Sequence, residues 1–266
     1  MNRGFLIVAQ NTQTVDYIKC ATVLAASIKR TMPGESITLL TDTQVRSSVF
    51  DNILQFPHGD RCIGSNWKLA NDWQVYSATP YDYTIKLEAD MYVPRSISHW
   101  WDMFKNTDMA ICTTIRNYKN EISTNRYYRK IFDQNNLPDV YNAITYFKKS
   151  DTAEQFYILV KDIFENWSEW IKEIKCNAGE RATTDVVYAI AAKIIGVDKT
   201  ILPWFNQMSI IHMKKMINEC HSENWTEELL YEINSDSIRI NTIPQMYPFH
   251  YHVKPFASVI EEELND

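Results

Sequence analysis

The first forty residues constrain the fold most. Phe5-Leu6-Ile7-Val8-Ala9 is an unbroken apolar run that stops at polar Gln10-Asn11-Thr12-Gln13-Thr14, the pattern of a buried parallel strand ending in a loop. Val15, Ile18, Ala21, Thr22, Ala25 and Ile28 then recur at helical spacing, with Thr14 placed to cap the helix and Pro33-Gly34 placed to stop it. Ser36-Ile37-Thr38-Leu39-Leu40-Thr41-Asp42 reads as a second strand ending on an acid. Strand, helix, strand at this spacing is a βαβ unit, whose crossover is right-handed and whose ligands bind beyond the carboxyl ends of the strands. The expected class is therefore α/β, Rossmann-like, with a mixed, mainly parallel central sheet flanked by helices. With 6 glycines in 266 residues the chain has neither a GxGxxG nor a P-loop, so dinucleotide and P-loop chemistry are not expected.

Further elements follow in alternation. Segment 52–57 predicts a third strand and 67–76 a helix packed under it. Strands are expected over 108–115 and 143–148, a long amphipathic helix with Trp167 and Trp170 over 152–174, and an apolar helix over 186–195. No repeat, low-complexity tract or linker divides residues 1–266, which are read as one domain. A net charge of -6 gives the molecule no overall polycation footprint. No run long enough to span a bilayer occurs, and the apolar N-terminal stretch is too short for a signal peptide. A cytoplasmic chain with no membrane partner is expected; its oligomeric state is left unassigned. Cys20, Cys62, Cys112, Cys176 and Cys220 lie singly without a CxxC pair, which predicts reduced thiols and argues against both a disulfide framework and a zinc knuckle.

The residues richest in chemistry are Pro80-Tyr81-Asp82-Tyr83-Thr84-Ile85-Lys86-Leu87-Glu88-Ala89-Asp90-Met91-Tyr92-Val93-Pro94, a turn and a strand running into two acids. The two-residue period of a strand puts Glu88 and Asp90 on one side at its end. Paired carboxylates there suit Mg²⁺ or Mn²⁺ bridging a diphosphate, with the cation acting as a Lewis acid on the leaving group. The plain alternative is a polar loop. Thr183-Thr184-Asp185 opens a helix and by itself reads as a cap, Thr183 or Thr184, with an acid in the first turn.

In their order these segments resemble the nucleotide-sugar-dependent glycosyltransferases of the GT-A fold, within them the branch of glycogenin and the bacterial galactosyltransferases. The opening βαβ unit with Ser27-Ile28-Lys29 is similar to the family's first unit, and Tyr81 to Val93 to its strand running into the metal-binding aspartate pair. Glu88 stands in place of the first aspartate. Tyr141-Asn142-Ala143-Ile144-Thr145-Tyr146-Phe147 resembles the strand that approaches donor sugar and acceptor, with Ala143-Ile144 replacing the family's small pair. His250-Tyr251-His252-Val253-Lys254-Pro255-Phe256 resembles its C-terminal histidine with lysine and proline. The resemblance implies a single GT-A domain with a C-terminal lid segment at about 240–266. It implies Mn²⁺ or Mg²⁺ held by Asp90 with Glu88 and either His250 or His252, and a nucleoside diphosphate sugar, expected to be a UDP-sugar, as donor. Asn11, Thr12, Asp42, Lys68, Glu88 and Lys254 are then the donor-binding candidates. Asp185 is implied near the anomeric carbon, as general base or as a stabiliser of the oxocarbenium-like centre. Asn142 is implied beside the sugar. Inversion and retention both stay open.

The acceptor is sought in Arg116 to Lys130, a basic and aromatic island on an acidic protein. Arg116, Lys119, Arg126, Tyr127 and Arg129 are candidates for phosphate neutralisation and base stacking, and the other reading is a solvated loop with its tyrosines folded inward. Lys214-Lys215 beside His212 is a lesser basic site, expected on a helix surface. The opening Arg3-Gly4-Phe5-Leu6 and the richness in Asn, Lys and Ile resemble glycosyltransferase-like proteins of large tailed bacteriophages, which implies a hydroxymethylated base in phage DNA as acceptor and the host cytoplasm as location. The alternatives are a saccharide or lipopolysaccharide acceptor, a non-catalytic sugar-nucleotide or nucleic-acid binding module, and a nucleotidyltransferase.

Overall fold

Strands β1 (Arg3–Val8), β2 (Ser36–Thr41), β3 (Asn52–Gln55) and β4 (Tyr83–Glu88) run parallel to one another in the spatial order β3-β2-β1-β4. They belong to a computed structural model that describes residues 2–127, 129–175, 181–202, 208–234 and 237–265, so Tyr128 and Cys176 lie outside the described residues. After β4 come β5 (Met91–Tyr92), β6 (Met109–Cys112), β7 (Thr114–Arg116) and β8 (Tyr141–Lys148). β8 lies antiparallel between β4 and β6, which completes a six-stranded mixed sheet that is mainly parallel, as the sequence predicts. The period of two divides each central strand between two cores. Phe5 and Ile7 enter the core beneath the helix Tyr17–Thr31, whereas Leu6 enters the one beneath the helices Asp151–Glu165 and Thr184–Ile195.

A smaller sheet shapes one end of the molecule. After β9 (Ser209–His212) a hairpin forms from β10 (Tyr231–Asn234) and β11 (Ser237–Ile240), extended by β12 (Ile243–Pro244), and the chain returns as β13 (Phe249–His250). β13 lies antiparallel to β5 and parallel to β9, in the order β5-β13-β9-β7. The segment 240–266, expected as a lid, is therefore woven into the fold. Trp225 is fully buried among Phe249 and Phe256, and its Nε1 donates to the Tyr251 carbonyl at 2.8 Å. The closing helix Phe256–Asn265 reaches the helix Tyr17–Thr31 through the Lys19–Glu261 ion pair at 3.0 Å.

Several boundaries differ from the sequence reading for local reasons. Asp16, not Thr14, caps the first helix, its carboxylate accepting the Lys19 N–H at 3.0 Å, because Thr12 Oγ1 already holds Val15 N–H in the preceding turn at 3.1 Å. The expected strand 108–115 splits at a register shift between Ile111 and Cys112, a bulge that lets β7 leave the large sheet for the small one. The long helix ends at Glu165, with the Asn166 N–H closing on the Asp162 carbonyl before the short helix Trp167–Trp170. Residues 67–76 form a 3₁₀ turn, Leu69–Gln74, that passes into the short helix Val75–Ala78.

Gly4 is required where it stands. A Cβ at this position would lie 2.3 Å from the ring of Tyr81, whose hydroxyl is fixed by Thr38 Oγ1 at 2.8 Å. Gly4→Ala should lower stability in urea by about 1–3 kcal/mol. Gly34→Ala, with no atom within 4 Å of the new methyl, should stay near wild type. Equal midpoints for the two variants would contradict this packing.

Candidate active site

The carboxyl ends of β1 and β4 open into a cavity of about 350 Å³. Its inner wall is the turn from β4 to β5. Glu88 ends β4, Asp90 precedes β5, and both side chains face the cavity. Ser27 helps hold this turn, because its buried Oγ accepts the Val93 N–H at 2.9 Å while donating to the Leu24 carbonyl. β13 closes the wall from the other side. Pairing of Met91 with His250 puts His250 Nε2 3.0 Å from Asp90 Oδ2 and 3.5 Å from Glu88 Oε2. Lys254 Nζ also donates to Asp90 Oδ2. Burial alone would raise the Asp90 carboxyl, but His250 and Lys254 outweigh it and hold the group well below the usual carboxylate range. Glu88 is pushed up by burial, which the charges of His250 and Lys86 only partly offset. Asp90 is thus the secure anion and Glu88 the adaptable one.

The C-terminal tail adds more imidazole than one ligand needs. His252 follows in a turn where φ is +58°, and the Val253 N–H closes on the Tyr251 carbonyl at 2.6 Å. His252 Nε2 lies 3.2 Å from Nδ1 of His212, the last residue of β9. Burial, followed by the proximity of the other two histidines, pushes His212 well below its ordinary value; burial and His250 do the same to His252. His212 was no candidate from sequence. Lys214, expected on a helix surface, lines the cavity instead, while Lys215 pairs outward with Glu223 at 2.7 Å.

The wall opposite carries Asp185, at the start of the helix Thr184–Ile195. Its Oδ1 accepts the Asn142 N–H at 2.8 Å and its Oδ2 accepts from Arg129 at 3.0 Å. Asn142 itself is buried beneath the cavity and faces Lys86, whose Nζ donates to Asn142 Oδ1 at 2.9 Å. Its neighbours Tyr141 and Ala143 reach the cavity instead, as strand alternation requires. Lys86 also forms a buried ion pair with Asp72 at 2.7 Å, and Tyr188 donates to that carboxylate. Sequence reasoning passed over Lys86 and Asp72. The available signal was a lysine inside the apolar strand Ile85-Lys86-Leu87, where a charge demands a partner.

At the ends of β1 and β2 the polar groups interlock. Gln10 Nε2 donates to Asp42 at 2.8 Å, Asn71 bridges Gln10 and Asp60, and Lys68 binds Asp60 at 2.9 Å and lies 3.9 Å from Asp42. Lys68 and Thr12 line the cavity. Asn11 turns aside, its Oδ1 accepting the Ile18 N–H at 2.9 Å.

The island 116–130 is not a free cationic strip. Arg129 is buried, donating to Asp139, Asp185 and the Val140 carbonyl with its guanidinium over the Phe132 ring. Arg126 is paired with Asp133 and Asp139, and Arg116 donates to Ser209 Oγ and the Asn120 carbonyl beside the Tyr247 ring. Lys119 and Tyr127 remain at the surface. Arg126 and Arg129 thus meet acids of the protein itself, Asp133, Asp139 and Asp185, while Arg116 is held by a hydroxyl and a carbonyl. Among the described residues Cys20, Cys62, Cys112 and Cys220 are free thiols. No described helix is long and apolar enough to cross a membrane.

No protein-family model and no curated protein matches the sequence. Solved structures match the fold. The galactosyltransferase LgtC in complex with donor and acceptor sugar analogues is 13% identical, covers 98% of this chain and 95% of its own, and superposes with a TM-score of 0.58. An active-site mutant of LgtC gives the same TM-score of 0.58 and coverages of 98% and 95%, at 12% identity. Mouse xyloside xylosyltransferase 1 is 10% identical over 76% of this chain and 85% of its own, with a TM-score of 0.47. The chain has the GT-A fold.

Two outcomes follow from these charges. Arg129→Met leaves Asp139 and Asp185 without their shared cation and should cost about 3 kcal/mol in urea, against at most about 1 kcal/mol for Arg126→Met on the surface. A smaller loss at Arg129 would contradict its role as the anchor. For Asp60, burial opposes ionisation, but Lys68, Asn71 and the Cys62 amide lower the carboxyl from 3.8 to about 2. A lowered folded-state value stabilises above the unfolded value and is lost as pH falls. Asp60→Asn should therefore cost about 2 kcal/mol at pH 7, and unfolding titrations should show the gap closing between about pH 4 and 2.

Proposed function

We propose that this chain transfers a glycosyl group from a nucleoside diphosphate sugar to an acceptor hydroxyl. The observation that carries the reading is the convergence of Glu88 and Asp90 from the middle of the chain with His250 and Lys254 from its tail, on one wall of a cavity at the carboxyl ends of parallel strands. The fold shared with LgtC supports it.

The residues fit a divalent cation. Glu88, Asp90 and His250 present ligand atoms within 4.8 Å of one another, and the carboxylate best placed to bind stays ionised. Two hard oxygen donors and a borderline nitrogen suit Mn²⁺ well and Mg²⁺ less well. Such an ion, when bound, neutralises charge on the donor's diphosphate.

The chain's own groups supply the rest of the chemistry. Lys254 sits against Asp90 and is free to exchange that carboxylate for a diphosphate oxygen as the bond to the anomeric carbon breaks. Asp185 faces the same space with each oxygen already accepting a hydrogen bond, from Arg129 and from the Asn142 amide. A carboxylate held in this way is a fixed anion, suited to stabilise the positive charge growing at the anomeric carbon better than to take the acceptor's proton. Lys86 on the cavity wall and Asn142 beneath it act as positioning groups. Gln10, Asp42, Asp60 and Lys68 form the polar end that receives the nucleoside. In the transfer the acceptor oxygen bonds the anomeric carbon as the bond from that carbon to the diphosphate oxygen breaks, and the hydroxyl proton passes to the departing nucleoside diphosphate. The hydroxymethylated DNA base has lost its main support, because Arg116, Arg126 and Arg129 are committed within the protein. A saccharide hydroxyl is the other acceptor, and it needs no phosphate-binding strip beside the cavity.

The test is release of nucleoside diphosphate from UDP-sugars with and without Mn²⁺. Turnover should require the metal, and Asp90→Asn should lose about a hundredfold or more in kcat/KM while keeping the wild-type circular dichroism spectrum. Metal-independent release, or full activity in the variant, would overturn the assignment. No release at all with any UDP-sugar would mark a binding module.

A further inference from the structure

The structure assigns a second, nitrogen-rich transition-metal site to His212, His250 and His252. Ligand atoms of the three imidazoles lie within 4.8 Å of one another, and the set shares only His250 with the carboxylate cluster. His212 comes from β9, His250 from β13 and His252 from the turn beyond it, so the trio is assembled by the parallel pairing of His212 with His250. The rings of His250 and His252 stack with centroids 3.9 Å apart, and those of His212 and His252 meet edge to face at 4.4 Å.

Three features separate this cluster from histidines packed for structure. His212 Nε2 and His250 Nδ1 are buried with no hydrogen-bond partner, so neither ring is held through both of its nitrogens by the protein alone. His252 occupies a left-handed conformation, φ +58°, inside a strained three-residue turn, and that backbone delivers its ring to the other two. All three rings lie together without an acid between His212 and His252, whose facing nitrogens are 3.2 Å apart. Neutral imidazoles are the ligands that Zn²⁺, Co²⁺ and Ni²⁺ prefer, whereas Mg²⁺ and Mn²⁺ prefer oxygen. Lys214 lines the same cavity, and its charge favours ligation by neutral imidazoles that hold the ion through coordinate bonds over weak attraction of a hard cation. The site therefore takes a transition metal of the zinc class, with three protein nitrogens and an open fourth position.

This inference goes beyond glycosyl transfer and is read without any donor. Co²⁺ is titrated into the full-length, untagged chain and its visible absorption recorded. Intense bands of a four-coordinate ion are expected at one equivalent, displaced by Zn²⁺. They should persist in Asp90→Asn and be lost in His212→Asn, with Zn²⁺ affinity falling by more than about tenfold. Because His212 is buried, His252→Asn provides the second variant, asparagine being tolerant of positive φ, and it should lose the bands while melting like the apo wild type. Weak six-coordinate bands in the wild type, intense bands surviving both histidine changes, or bands lost in Asp90→Asn would each overturn the assignment.

Discussion

The structure turns on an ion pair between residues 164 apart in sequence, Lys254 with Asp90, reinforced by His250 on the same carboxylate oxygen. A buried carboxylate with no partner would protonate or destabilise the turn that carries it. The pairing of β13 with β5 brings His250 to this carboxylate and the chain that follows brings Lys254, and it explains why the tail is locked by Trp225 and Phe256 when a mobile lid would suffice to cover a ligand. The same geometry that stabilises Asp90 leaves it ionised, which is what a cation and a diphosphate would require of it.

The rest of the cavity follows the same rule of charges answered at a distance. Arg129 binds Asp185 and Asp139, Lys86 binds Asp72, and Lys68 binds Asp60. Buried pairs of this kind add little net stability, since desolvation consumes most of the attraction. Their effect is orientation. Asp185 cannot rotate without giving up a guanidinium and a backbone amide together, so its carboxylate is fixed relative to the wall that carries Glu88 and Asp90.

What was legible in the sequence was local. The unit from β1 to β2 follows from apolar runs and a helical period within forty residues, and Glu88 with Asp90 follows from strand alternation. Lys254 and His250 were found because the tail carries recognisable residue types in a short span. Arg129 was misread because its acids, ten and 56 residues away, meet it only after folding. His212 was missed because it gains its meaning from the parallel register of β9 with β13, and Lys86 because a single lysine in a strand does not announce Asp72. The break of 152–174 after Glu165 likewise depends on Asn166 and the packing of Trp167, which periodicity does not register.

The most direct test of the account is Mn²⁺ affinity in the presence of UDP, measured for the wild type, Asp90→Asn, His250→Gln and the double variant. If both side chains hold one ion, each single change weakens binding by about tenfold or more, and the double change falls well short of the sum of the two free-energy losses. Wild-type affinity in His250→Gln, or fully additive losses, would show that the tail and the middle of the chain do not share a cation.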